Sequence, residues 1–321
     1  VWGWADPGET VTVQLADSAQ KEAVADAQGE WRVALDAAEA GGPFTFSVSG
    51  NTAVVFTNVY IGEVWLCSGQ SNMQWPVSRS VSPDEEVANA NWPLIRHLEV
   101  PRRPATMPQD DQGSTWQVCS PATAGNFTAV GYFFGRTLHQ ELKVPIGLIN
   151  ASWGGTRIEP WTPPVGFAST PAVKHIADEL STKDPSSSIY QSKLDNHLNA
   201  VESWVAAARA NLTKGVPPGP APAFPGELTP YKSHQSPAML YNGMLNPVVP
   251  YAIRGSIWYQ GEANHQEGML YYEKTKALVN GWRTAWNLPE LPYYFVQIAP
   301  FKYGNEEPTV LAEFWEAQTK A

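Results

Sequence analysis

Four short, almost continuous apolar runs constrain the fold of this chain more than any other feature. The runs are residues 59–67, 145–150, 253–259 and 292–298. Such runs are typical of strands that are buried on both faces of a parallel sheet. Residues 130–142 and 269–286, which lie between runs, carry apolar side chains at helical spacing. The pattern predicts a doubly wound parallel α/β sheet, in which ligands bind at the carboxyl ends of the strands.

The first part of the chain has a different pattern. Between Val11 and Phe56, apolar and polar residues alternate in short runs separated by turn residues, which predicts antiparallel strands. We therefore expect residues 1–57 to form a small β-sandwich module, incomplete at its N-terminus, and residues 58–321 to form the α/β domain. Residues 214–230 contain too many prolines for a helix or a central strand, so we expect a surface excursion there.

Charge and hydropathy exclude two classes of partner. The 31 acidic and 21 basic residues give a formal net charge of −10, and no cluster of Lys or Arg reverses it locally, so we expect no nucleic-acid partner. No stretch of about 18 uninterrupted apolar residues occurs, so no membrane span is predicted. The 14 tryptophans indicate either a tightly packed core or a pocket with flat faces that suit sugar rings.

The cysteines and histidines give no metal or cofactor signature. Cys67 and Cys119 are too few for a disulfide framework, and they are either paired or two buried thiols. No histidine has metal-ligand spacing to another histidine or cysteine, so we predict no catalytic metal and no cofactor. Four histidines are interpreted as helix or surface residues: His97, His139, His175 and His197.

Ser71 is the strongest candidate nucleophile. It comes directly after the first apolar run, and Gly69 gives the backbone the freedom to turn sharply. A strand-turn-helix arrangement lifts a serine hydroxyl out of a sheet and points backbone amides at the reacting carbonyl oxygen. A Gly-x-Ser tripeptide alone is a weak signal, because so short a motif arises often by chance.

Three longer segments carry a resemblance to a known family. They are residues 61–73, with Gly-Gln-Ser-Asn-Met at the end, residues 144–161, with Trp-Gly-Gly-Thr-Arg inside, and residues 257–264, Ile-Trp-Tyr-Gln-Gly-Glu-Ala-Asn. In this order they resemble the sialate O-acetylesterase family of SGNH-type hydrolases. Shorter matching segments, among them residues 240–244 and 311–318, extend the resemblance over nearly the whole chain. The resemblance implies an SGNH-hydrolase-like doubly wound sheet and an esterase that uses a serine nucleophile.

The resemblance also implies roles for individual residues. Ser71 would be the nucleophile, and the oxyanion would be held by its own amide, by the amide of Gly155 and by the side-chain amide of Gln260. Without the family context, Gly155 would be interpreted as a plain loop glycine and Gln260 as a buried amide that satisfies backbone groups.

Four further residues near these segments are candidates for sugar binding: Trp75, Trp153, Arg157 and Glu262. Arg157 could meet the carboxylate of a sialic acid in a bidentate pair, or it could be held by Glu159 or another acid. Glu262 could orient Gln260 or bind a substrate hydroxyl, or have a purely structural role.

The general base is missing from the matched segments. The family's Asp-x-x-His pair should follow residues 311–318, but no Asp-x-x-His occurs in the sequence, which stops at Ala321. Because serine is a poor nucleophile without a base, we expect this pair beyond Ala321, in a continuation or a second chain. His265 and His234 are weaker substitutes.

These observations favour a carbohydrate O-acetylesterase that removes acetyl groups from sialic acid or an acetylated polysaccharide through an acetyl-serine intermediate. The alternative is a catalytically silent carbohydrate-binding protein. A lipase is less well supported, because the tryptophan-rich and polar segments suggest a wetter pocket than an acyl chain needs. Since acetylated carbohydrates occur mostly outside the cytosol, we expect a secreted or periplasmic setting, or a lysosomal one in a eukaryote.

Overall fold

The N-terminal part of the chain is all β. The computed structural model describes residues 1–111 and 113–321. The first six strands are β1 (Trp2–Trp4), β2 (Thr10–Leu15), β3 (Lys21–Val24), β4 (Glu30–Arg32), β5 (Gly41–Ser49) and β6 (Ala53–Ile61). Strands β1 and β4 form an antiparallel ribbon, and β3-β2-β5-β6 form a four-stranded antiparallel sheet. The pairing of β6 continues to Ile61, past residue 57, and the division into two domains stays a prediction.

A six-stranded sheet forms the centre of the rest of the chain. Its strands are β7 (Glu63–Gly69), β8 (Trp92–Glu99), β9 (Gln117–Cys119), β10 (Ile146–Ser152), β11 (Gly255–Tyr259) and β12 (Tyr293–Phe295). Their order is β12-β11-β7-β10-β8-β9, and all neighbours are parallel except β8 and β9. The predicted doubly wound α/β sheet is therefore confirmed. Strand β7 lies between β10 and β11, where the chain order changes direction, which is where such sheets bind ligands.

Helices cover both faces of this sheet. The helices of the described residues are α1 (Ser71–Gln74), α2 (Pro83–Ala88), α3 (Ala129–Leu142), α4 (Pro164–Ala168), α5 (Lys174–Lys183), α6 (Ser188–Thr213), α7 (Leu270–Trp286) and α8 (Pro308–Lys320). The helices predicted over 130–142 and 269–286 correspond to α3 and α7. Helix α6 was not predicted, and it contains no buried residue, so its sequence carries little of the periodicity that reveals a helix.

Strand β7 shows why the apolar runs are continuous. Leu66 packs into the core shared with α7 and α8, whereas Trp65 and Cys67 pack into the core on the other face, with α3. Because successive side chains of a strand point to opposite faces, both sets must be apolar when both faces are covered.

Three expectations about single residues can be compared with the structure. His97 is not a helix or surface residue; it lies on β8, 4% exposed, and burial lowers its pKa to about 4. Cys67 and Cys119 are two buried free thiols, and burial raises the pKa of Cys119 to about 11. Of the surface excursion predicted at residues 214–230, residues 214–225 form a mostly exposed irregular segment, whereas Gly226–Leu228 form a 3-10 turn in which Leu228 is buried. In the described ranges, no helix is long and apolar enough to cross a membrane.

Candidate active site

Ser71 lies at the carboxyl edge of the central sheet. Strand β7 ends at Gly69, and Ser71, which is exposed, is the first residue of α1. Gly69 has a φ of +141°, and a Cβ there would lie 2.1 Å from the carbonyl oxygen of Tyr259. That oxygen also accepts a hydrogen bond from the amide of Gln70 at 2.9 Å. Only glycine therefore allows β7 to turn out of the sheet this close to the end of β11.

The loop after β10 lies against the serine. The amide of Trp153 donates to the carbonyl of Gly69 at 3.1 Å, and the amide of Gly154 donates to Oε1 of Gln74 at 2.7 Å. A Cβ on Gly154 would lie 3.4 Å from Cβ of Ser71, so the approach of the two loops leaves almost no space for a side chain. The structure thus brings together the serine segment and the Trp-Gly-Gly segment that the sequence singled out.

Gly155 is an exposed residue of this loop in the left-handed backbone conformation. Its φ is +76°, it is exposed, and nothing lies within 4 Å of the position a Cβ would take. Its carbonyl accepts a hydrogen bond from Nε2 of Gln235 at 2.9 Å, which fixes the peptide from the outer side. The role of the Gly155 amide as an oxyanion donor stays a prediction.

Gln260 lies beneath the serine loop. Its side chain is 0% exposed, and its Nε2 is within hydrogen-bond distance of Gln70 Oε1, Asn264 Oδ1 and Thr156 O, at 3.0, 2.8 and 3.2 Å. Its Oε1 accepts from the hydroxyl of Tyr271 at 2.8 Å. Two amide hydrogens are thus shared among three acceptors, and a role as oxyanion donor, which stays a prediction, would require one of these contacts to be released.

Glu262 contacts α1, the helix that begins at Ser71. Its Oε1 accepts a hydrogen bond from Nδ2 of Asn72, the residue after Ser71. Its Oε2 is buried and has no hydrogen-bond partner among the described residues. Burial raises the pKa of this carboxyl, although hydrogen bonds from its own backbone and from Asn72 partly oppose the effect. Glu262 therefore orients Asn72 rather than Gln260 in this structure.

Arg157 is paired with an acid. Its guanidinium donates to Glu267 at 2.7 Å, and it is half exposed. Glu159, the partner considered from the sequence, instead contacts Lys274 at 2.5 Å, and Lys274 also contacts Glu267 at 2.7 Å. Burial alone would raise the pKa of Glu159, but Lys274 and the hydrogen bonds from its surroundings hold that pKa below its usual value. Arg157 is thus the exposed end of a chain of alternating charges.

Asn264 joins this chain of charges to Gln260. Its Nδ2 donates to Glu159 and to Glu267, each at 3.1 Å, and its Oδ1 accepts from Gln260 at 2.8 Å. Sequence reasoning missed this network. A signal was available in Lys274, which lies on the buried face of an amphipathic helix, because a buried lysine requires a partner of opposite charge.

The two tryptophans predicted to bind sugar differ in their surroundings. Trp75 is 46% exposed, its Nε1 donates to the carbonyl of Arg79 at 2.8 Å, and the Arg79 guanidinium lies 5.8 Å from its ring. Trp153 stacks on His234, with ring centroids 4.6 Å apart and planes 7° from parallel. Both lie next to the serine and Gly-Gly segments in the chain, and their role in binding sugar stays a prediction.

The histidine substitutes already have partners. Nδ1 of His265 lies 2.7 Å from the carbonyl of Glu262, its Nε2 lies 2.9 Å from Glu306, and its ring stacks on Tyr303. His234 lies 3.3 Å from Nε2 of Gln235 and stacks on Trp153. Within residues 1–111 and 113–321, no histidine hydrogen-bonds the Ser71 hydroxyl, and no group of three or more His, Cys, Asp or Glu could hold a metal ion.

The chain is similar to known carbohydrate esterases. A family model described as carbohydrate esterase, sialic acid-specific acetylesterase, matches residues 61–203 and 228–320, which is more than half of the chain. The sialate O-acetylesterase of Mus musculus is 29% identical over 332 residues, which cover 95% of this chain and 57% of that protein. The Homo sapiens enzyme is 30% identical over 306 residues, which cover 88% and 49%.

A solved structure gives the same result. The crystal structure of a carbohydrate acetylesterase from Xanthomonas citri is similar with a TM-score of 0.76 at 31% identity, covering 100% of this chain and 61% of that one. The chain spans about half the length of the curated relatives it matches. From the matched segments and the shared fold, the chain belongs to the sialic acid-specific acetylesterase family of carbohydrate esterases.

Proposed function

We propose that this chain carries the reaction centre of a carbohydrate O-acetylesterase with Ser71 as the nucleophile. The position of Ser71 supports this most directly: it is exposed, it begins α1 at the carboxyl end of the central strand, and the Gly154–Gly155 loop lies against it. An exposed hydroxyl beside tightly turned backbone is the arrangement that acyl transfer by a serine requires.

The reaction proceeds through an acetyl-enzyme. Oγ of Ser71 attacks the carbonyl carbon of the acetyl group and gives its proton to a base, and the backbone amides of Ser71 and Gly155 stabilise the negative charge on the carbonyl oxygen. The bond to the sugar then breaks, and the sugar oxygen takes up a proton. Water attacks acetyl-Ser71 in the second half, which releases acetate and restores the hydroxyl.

The test compares hydrolysis of p-nitrophenyl acetate by the protein and by its Ser71→Ala variant. We expect kcat/KM to fall by about 10³-fold or more, since a triad serine contributes at least that much. Circular dichroism should be unchanged, because the Ser71 side chain is exposed. Full activity in the Ser71→Ala variant would refute the proposal. If neither protein hydrolyses the ester, either the base is not supplied by this chain or the protein is a silent carbohydrate binder, and glycan binding should be measured next.

A second comparison addresses the base. The resemblance implies a histidine from an Asp-x-x-His pair, whereas His265 is already held between Glu306 and the carbonyl of Glu262. We therefore expect the His265→Gln variant to keep most of its activity. A loss as large as that of Ser71→Ala would identify His265 as the base.

One observation bears on the substrate. Arg157 is already paired with Glu267, so a sugar carboxylate would have to compete with Glu267 for its guanidinium. This pairing favours an acetylated neutral polysaccharide over an acidic sugar at this position. The comparison is acetate release from acetylated xylan and from 9-O-acetyl-N-acetylneuraminic acid. A clear preference for the acidic sugar would contradict the inference about Arg157 and leave the role of Ser71 intact.

A further inference from the structure

A cavity lies between the N-terminal ribbon and the α/β domain. It has a volume of about 430 Å³, within the range of ~300 to 1,000 Å³ that small-molecule sites occupy. One wall is the β1–β4 ribbon, and the other is formed by Asp110 and by Asn246, Val249 and Pro250, which precede β11. These three residues come before the amino end of β11, and β11 is parallel to β7. Ser71 follows the carboxyl end of β7, so the cavity lies away from the proposed reaction centre.

The register of the ribbon decides which side chains face this cavity. Trp2 pairs with Arg32 and Trp4 with Glu30, whereas Gly3 pairs with Trp31. Because directly opposed residues of an antiparallel pair share a face, the Trp2 and Trp4 pairs share one face. Trp31 borders the cavity too, but it packs into the module core with Val11 and Val13.

The two tryptophans on the cavity face have different surroundings. Trp2 packs edge-to-face on Tyr251, with ring centroids 6.3 Å apart, and so fixes the ribbon to the α/β domain. Trp4 is 55% exposed. Trp4 and Trp75 are the two exposed tryptophans among the described residues, and an exposed indole in a cavity wall offers a flat apolar face to a ligand.

The polar groups of the cavity are mainly hydrogen-bond acceptors. Three carboxylates line it, Asp26, Glu30 and Asp110, against one guanidinium, that of Arg32. Asp26 uses one oxygen, Oδ1, to accept the amides of Gln28 and Glu30, each at 2.9 Å. Asn246 also lines the cavity, and its Nδ2 donates to the carbonyl of Gln109 at 3.0 Å.

We propose that this cavity is a binding site for a neutral saccharide. A sugar ring has an apolar face of C–H groups that stacks on an indole, and its hydroxyls donate to carboxylate and amide oxygens. The excess of negative charge repels sialic and uronic acids. A metal ion does not account for the carboxylates, since they form no group of three that could hold one in the described ranges.

The experiment measures binding of xylohexaose and of 3′-sialyllactose to the protein by isothermal titration calorimetry. We expect xylohexaose to bind, sialyllactose to bind at least about tenfold more weakly, and the Trp4→Ala variant to lose about tenfold or more in affinity for xylohexaose. Val55→Ala is the matched control, because Val55 is an exposed apolar side chain of the same module, at 58%, that does not line the cavity.

The test is independent of the proposed esterase activity. Ser71→Ala should bind xylohexaose as the parent protein does, and Trp4→Ala should hydrolyse p-nitrophenyl acetate at the parent rate. Trp4→Phe should recover part of the affinity, because it restores a flat ring. No binding by the parent protein, an unchanged affinity in Trp4→Ala, or equal binding of sialyllactose would each overturn the proposal.

Discussion

Oε1 of Gln70 accepts a hydrogen bond from Nε2 of Gln260 at 3.0 Å, across the loops that follow β7 and β11. The same oxygen lies 3.3 Å from the amide of Gly261 and 3.2 Å from that of Ala263. A single side-chain oxygen next to Ser71 therefore holds the neighbouring loop in place. Gln70 is a positioning residue, since it acts on the proposed nucleophile through the backbone.

Replacing Gln70 by alanine should separate the two loops. Three donors would lose their shared acceptor, at a cost of about 2 kcal/mol or more in the free energy of unfolding, and displacement of Ser71 should lower kcat by about 10²-fold. Urea denaturation and ester hydrolysis measure the two effects. Gln70→Glu is the control, because it keeps an oxygen in the same place. An equal loss of stability and of kcat in the two variants would contradict the role of Gln70 Oε1 as a hydrogen-bond acceptor.

Gly69 and Gly155 both have positive φ, but we predict different responses to alanine. At Gly69 the new Cβ would meet the backbone oxygen of Tyr259 at 2.1 Å, whereas at Gly155 it would meet nothing within 4 Å. Gly69→Ala should destabilise the protein by more than about 3 kcal/mol and abolish activity. Gly155→Ala should cost about 1 kcal/mol of conformational strain. Thermal unfolding of the two variants provides the comparison, and a milder effect at Gly69 would contradict the placement of β7.

Lys274 is predicted to be essential for stability, because it lies between two carboxylates. Lys274→Met would leave the buried Glu159 without its cation, whereas Glu267 keeps Arg157, with an expected loss of about 3 to 5 kcal/mol near pH 7. The loss should shrink at low pH, where Glu159 can protonate. Equilibrium denaturation at pH 7 and pH 4 measures it. A loss independent of pH would indicate packing rather than charge.

The ion pair between Lys274 and Glu159 determines part of the pH dependence of the parent protein's stability. The pKa of Glu159 is held below its usual value of 4.5, so the folded state binds its proton less tightly than the unfolded state. Its contribution to stability is therefore complete above the unfolded pKa and is lost as the pH falls through the folded pKa. Glu159→Gln should remove this acid-labile component.

Glu262 should affect the pH dependence of stability in the direction opposite to that of Glu159. Burial raises its pKa, so the folded state binds the proton more tightly, and ionisation of Glu262 removes stability as the pH rises from the unfolded to the folded pKa. Glu262→Gln keeps the acceptor for Asn72 and removes the buried charge. We expect it to raise Tm at pH 8 and to have little effect at pH 4. A lower Tm at pH 8 would show that the carboxylate has a stabilising partner.

The sequence alone determined the local elements of this protein. The apolar runs predicted β7, β10 and β11, because strands covered on both faces cannot alternate apolar with polar residues. The run at residues 292–298 also contains a strand, β12, but β12 lies at the edge of the sheet and is largely exposed, so the expectation that it is buried on both faces was wrong. Gly69 and Ser71 predicted the strand-turn-helix segment, because a glycine gives the backbone the freedom to turn sharply between a strand and the residue that follows. Helix α6 was missed, since a helix that buries no residue leaves little trace in the apolar pattern.

Only the tertiary structure decided which polar groups meet. Gln70 and Gln260 are 190 residues apart in the chain, and Arg157 and Glu267 are 110 apart, so no spacing in the sequence records these contacts. His97 shows the same limit, because its burial depends on the elements that cover β8. Hydrogen bonds and ion pairs are satisfied by whichever groups the fold brings within about 3 Å, and that distance is set by the packing of the sheet and helices, not by local sequence.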